Sequence, residues 1–126
     1  MRAGFLTVGL ALTVLAGSAM AQATGNLDDF VQRANRVPLN ATSMLRPDAY
    51  RLKGEAERSI QTVIGDIRQA RAAGRAPPAC PTDRISLEPR QFLGFLNSIP
   101  ASRRRQMSLN DGVRAWFADR YPCRPA

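Results

Sequence analysis

The stretch Cys80–Cys123, CPTDRISLEPRQFLGFLNSIPASRRRQMSLNDGVRAWFADRYPC, decides the fold. It begins and ends on the only two cysteines of the chain. Two segments inside it have apolar residues at helical spacing. In the first, Ser86 is a candidate N-cap, and Pro89 falls in the first turn, where its missing N–H is no loss. Leu87, Phe92, Leu93, Leu96 and Ile99 supply the apolar face. In the second, Ser108 with Asp111 three residues on has the form of a capping box, and Leu109, Val113, Trp116 and Phe117 face inward. Asn97 to Gln106 reads as the loop between them, carrying Pro100 and the run Arg103-Arg104-Arg105. If the thiols pair, closing this loop contributes roughly 4 kcal/mol on the chain-entropy view, comparable to the net stability of a small domain.

Whether they pair depends on the compartment, because disulfides persist only in oxidising surroundings. Met1 and Arg2 give a short basic start, Phe5 to Ala16 is an apolar run without a charge, and Ala19-Met20-Ala21 has the A-x-A form of a cleavage site. The reading is a signal peptide over 1–21, cut after Ala21, with a cut after Ala23 as the alternative. A membrane anchor is the competing reading, but the run is shorter than the ~20 apolar residues a span needs, and no basic cluster stops it. The expected location is the periplasm. Removing 21 of the 126 residues leaves 105, one small domain that gains much from a staple. Two cysteines in such a chain read as one disulfide, Cys80–Cys123, rather than two inert buried thiols.

Upstream, residues 22–46 form an N-terminal segment with one short helix. Asn26 caps it, Asp28 and Asp29 suit its N-terminal dipole, and Leu27, Phe30, Val31 and Ala34 make a single stripe. Residues 40–46 read as a turn or a single helical turn with Met44 and Leu45 inward. The helical domain proper spans 47–126. Its longest element runs from Pro47 to about Ala73, with Pro at the first position and Gly74 as C-cap. Leu52, Ala56, Ile60, Val63, Ile67 and Ala70 share one face. A kink near Gly54 or Gly65 is expected, and Asp48 with Arg51 and Glu55 with Arg58 have the spacing of surface pairs. Gly74 to Asp83, with three prolines, is a stiff linker that presents Cys80. No stretch alternates with period two, so the fold class is all-α, a bundle of about four helices stapled by one disulfide.

The chain carries no histidine, which removes the commonest general base and metal ligand. Two paired cysteines leave no standard zinc site, the sole lysine, Lys53, sits among charged neighbours, and no glycine-rich phosphate loop is present. These absences read as a binding protein without catalytic, metal or cofactor site. The formal charge is +8, or +7 once Arg2 leaves with the signal. Such a surface attracts polyanions, which outside the cytoplasm means lipopolysaccharide, acidic phospholipid head groups, peptidoglycan or an acidic protein more readily than nucleic acid. Arginine enrichment on a plain solvated surface is the bland alternative. Arg103, Arg104, Arg105 and Gln106 are the candidate partner-binding residues, since guanidiniums on a loop make forked hydrogen bonds to carboxylates or phosphates. The expectation is that all three arginines can be replaced without unfolding the domain.

The order of parts then resembles a known family. A signal peptide, a long helix, the Cys80-Pro81 junction, Phe92-Leu93-x-x-Leu96-x-x-x-Pro100 and a closing Tyr121-Pro122-Cys123 look like the Rap/Tai immunity proteins. The resemblance covers about Ala49 to Cys123 and is strongest from Cys80 onward. It implies a small helical periplasmic protein, often a homodimer, that binds and blocks a peptidoglycan amidase effector delivered by a type VI secretion system. The rival class is a small basic envelope protein that binds anionic polymer or lipid at the membrane surface, or chaperones unfolded clients.

Overall fold

The computed structural model describes residues 25–82 and 84–124; the expected signal peptide lies outside them. Five α-helices follow in order: α1 Leu27–Asn35, α2 Pro47–Ala72, α3 Pro89–Ser98, α4 Ala101–Arg104 and α5 Leu109–Arg120. A single 3-10 turn, Ser43–Leu45, precedes α2. No strand occurs among the described residues, so the all-α reading holds. The count is one helix higher than expected because the loop after α3 folds into α4.

The ends of the helices follow local chemistry. The side chain of Asn26 accepts the Asp29 N–H at 2.9 Å, capping α1. Ser108 and Asp111 form the reciprocal capping box of α5, each side chain accepting the other's backbone N–H at 3.1 and 2.9 Å. At the end of α2, Gly74 takes φ +67°, a left-handed conformation that a side chain resists. Its N–H donates to Arg71 O at 3.2 Å, and the Arg75 N–H donates to Ala70 O at 2.8 Å. This pair of bonds satisfies two of the last carbonyls of the helix. α3 departs from expectation: it starts at Pro89 with Glu88 extended at its N-cap, not at Ser86. Proline disfavours helical geometry in the residue before it, so Glu88 could not continue a helix from Ser86. Leu87 packs on the core from the irregular lead-in instead.

α2 is continuous through Gly54 and Gly65 for 26 residues, about 39 Å at 1.5 Å per residue. It packs most extensively on α5, while α1 lies against α2, α3 and α5 at once. Leu27, Val31, Val63, Leu96, Val113 and Phe117 are fully buried where these helices meet. Trp116 is buried, its ring edge-on to Phe92, Phe117 and Tyr121 at 5.6, 5.2 and 6.1 Å. Gly112 of α5 faces Leu27 and Leu96, leaving no room for a Cβ; α1 approaches α5 closely at this point. The anticipated surface pairs of α2 are exchanged for others. Asp48 pairs with Arg46 at 2.8 Å, and Glu55 takes Arg33 of α1 in a forked pair at 2.7 and 3.0 Å. Arg33 also holds Asp29. The hydrogen bond to Glu55, opposed by desolvation, raises the guanidinium further above its ordinary value, so it is a fixed cation between α1 and α2.

The inward expectation for Leu45 is overturned. Leu45 is 75% exposed on the 3-10 turn, and the side chain of Met44 lies outside the described residues. A three-residue turn has too few directions to aim two consecutive side chains at one core, and Ser43 takes the buried place.

Candidate functional site

The disulfide Cys80–Cys123 is formed, with the two Cα atoms 4.9 Å apart. Backbone on both sides holds it in place. The Cys80 N–H donates to Tyr121 O at 2.8 Å, the Ser86 N–H donates to the Tyr121 hydroxyl at 3.3 Å, and Pro81 O accepts from the Arg71 guanidinium at 2.9 Å. Ala79, just ahead of the cysteine, is completely buried. The proline-rich linker is therefore tied to both α2 and the end of α5.

Within this frame the arginine run does not lie on an open loop. Pro100 O accepts the N–H groups of Arg103 and Arg104 at 2.9 and 3.0 Å, which winds 101–104 into one helical turn. Three consecutive residues on a helix are rotated ~100° from one another and cannot share a face. Arg103, Arg105 and Gln106 are exposed, but Arg104 turns inward and is only 8% exposed. This corrects the expectation of three free arginines. The Arg104 Nε donates to Asp28 Oδ1 at 2.9 Å, and its NH1 group donates to Ile99 O at 2.9 Å, Asn97 O at 3.2 Å and Leu96 O at 3.5 Å.

Those carbonyls belong to the last turn of α3 and its exit, where helices lack internal donors and carry partial negative charge. Asp28 sits in the first turn of α1, where the dipole favours an anion. One guanidinium thus joins the C-terminus of α3 to the N-terminus of α1. Two further bonds reinforce the junction: Leu27 N–H to Met107 O at 2.8 Å and Asn26 Nδ2 to Arg105 O at 3.2 Å. The exposed cations Arg103 and Arg105 are consequently carried on an anchored turn. The ion pairs among the described residues draw their cations from Arg33, Arg46, Lys53, Arg104 and Arg114. Arg103 and Arg105 lie outside that set.

A second feature was not legible as a site. Between α1, α2 and the start of α3 an apolar groove of about 380 Å³ stays open, walled by Phe30, Ala34, Leu52, Ala56, Ile60 and Phe92. Ala56 and Ile60, expected in the main core face, are only partly buried because no described residue closes over α2 there. Leu39 lines one side and is itself 37% exposed; Tyr50, on the first turn of α2, is 60% exposed. Periodicity says which residues face inward, but not whether a neighbouring helix is long enough to cover them.

Among the described residues no group of three or more acidic, cysteine or histidine side chains could hold a metal ion, and no helix is long and apolar enough to cross a membrane. In comparisons with known proteins, no family model, no curated protein and no solved structure matches this chain. The resemblance to the Rap/Tai proteins draws no support from them and rests on the residues quoted for it.

Proposed function

We propose that the chain is a non-catalytic periplasmic binding protein of the immunity type, which holds and blocks a secreted peptidoglycan amidase. The observation that supports it best is the anchored display of Arg103, Arg105 and Gln106. With Arg104 buried as the anchor, the two free guanidiniums are held on a short turn inside a disulfide-closed ring. Holding them so reduces the ordering cost of presenting them to carboxylates on a protein surface. The test is co-purification with a secreted peptidoglycan amidase, taken from a neighbouring gene if one encodes it. A complex should form at micromolar concentration and weaken at least tenfold when Arg103 and Arg105 become alanine. No complex at that concentration would sink the reading.

A second reading, a basic envelope protein that binds anionic polymer or lipid or shelters unfolded clients, is favoured by the open apolar groove with Leu39 at its wall, together with exposed Leu45 and Tyr50. Salt-sensitive binding to anionic vesicles or lipopolysaccharide, with no amidase complex, is the outcome that selects it.

A further inference from the structure

The groove between α1, α2 and α3 has a charge pattern that names a ligand class. Its lining is apolar except for Lys53 and Glu57, one turn apart on α2. Their contact is 3.7 Å long and both side chains are more than half exposed, so the pair is weak and the ammonium can exchange partners. The Arg90 guanidinium donates to the carbonyl of Leu39 at 3.3 Å, and Leu39 is itself a lining residue. That bond places a second cation on the rim. Two cations and one carboxylate therefore border an apolar trough whose size falls at the lower end of small-molecule sites, roughly 300–1,000 Å³. The complementary ligand is a flexible apolar body with one anionic end.

We infer that the groove binds a single-chain fatty acid, its tail against Phe30, Leu52 and Phe92 and its carboxylate at Lys53, with Arg90 adding positive charge beside Leu39. A carboxylate competes for Lys53 because Glu57 meets the ammonium alone, at long range and largely in solvent. The inference uses none of Arg103, Arg105 or Gln106 and stands whether or not an amidase is the partner.

The molecule carries its own reporter. Trp116, the sole tryptophan, packs edge-on to Phe92 at 5.6 Å, directly behind the groove wall. Laurate, titrated below its micelle concentration into the purified protein, should change Trp116 emission with one-to-one saturation. Octanoate should bind at least tenfold more weakly, since each buried methylene adds severalfold in affinity. Dodecyltrimethylammonium, with the same tail and the opposite charge, should not saturate in that range. Ala56→Phe, which fills the groove, should abolish the response; Lys53→Glu, a rim change that leaves packing intact, should weaken it at least tenfold. If Ala56→Phe does not fold, Lys53→Glu alone decides. Equal responses to laurate and the cationic detergent, or a laurate response that Lys53→Glu leaves unchanged, would overturn the inference. So would a protein that ignores laurate while sedimenting as a dimer, with a second copy occupying the groove.

Discussion

Asp28 and Arg104, 76 residues apart in the chain, meet at 2.9 Å with side chains only 15% and 9% exposed. Because Arg104 also satisfies carbonyls at the end of α3, removing it strands a carboxylate and several acceptors together. Arg104→Ala is expected to cost about 3 kcal/mol in denaturant unfolding, in line with breaking a buried pair. Arg103→Ala and Arg105→Ala should each stay within about 0.5 kcal/mol of the parent, as surface changes do. Equal losses at all three positions would show that Arg104 is not the anchor.

The disulfide closes a loop with a sequence separation of 43. Replacing Cys80 and Cys123 by serine should remove about 4 kcal/mol and lower Tm by more than ~15 °C for a domain of this size. Mass spectrometry under alkylation, with and without reductant, checks the premise: two thiols should react only after reduction.

Gly112 and Gly65 provide an opposed pair of substitutions. A Cβ on Gly112 would fall 2.8 Å from both terminal methyls of Leu27 and 3.2 Å from one of Leu96. Both leucines are fully buried and cannot step aside, so Gly112→Ala should cost about 1–3 kcal/mol. On α2, a Cβ at Gly65 meets nothing within 4 Å. Gly65→Ala should therefore stabilise the protein by about 0.5–1 kcal/mol through helix propensity alone. Thermal unfolding of the two variants side by side reads both signs.

Asp48 sets one pH dependence. Desolvation pushes its carboxyl up, but the hydrogen bond and charge of Arg46, helped by the Ala49 N–H, outweigh that and hold it below its ordinary value. A depressed folded value means that the stabilisation is present above the unfolded value, near pH 4, and is lost as pH falls through the folded one. Asp48→Asn should then be less stable than the parent at about pH 7 and converge with it toward about pH 2 in urea titrations. A gap that persists in acid would assign the effect to something other than this charge.

The helices were legible where local chemistry sets them. Asn26, the Ser108–Asp111 box, Pro47 and Gly74 mark ends that the structure keeps, because each acts within a few residues of itself. Two features were not legible, for one physical reason: both depend on partners distant in sequence. Arg104 reads as one of three equal arginines until Asp28 arrives from α1. Ala56 and Ile60 read as core until α1 and α3 prove to leave them uncovered. The start of α3 is a different kind of miss, since Pro89 restricts Glu88 and that rule was already available from the sequence.

The ring closed by Cys80 and Cys123 contains α3, α4 and α5, whereas α1 precedes it. Leu27 and Val31 nevertheless fill the centre of the molecule, and the polar ties of Asp28 and Arg33 secure them. The first helix is thus a plug whose chain path to the ring runs through α2, to which residues 36–46 connect it. A protease cut in that connection would leave two fragments on a denaturing gel and a single particle on a sizing column. That result would separate chain continuity from fold integrity in this protein.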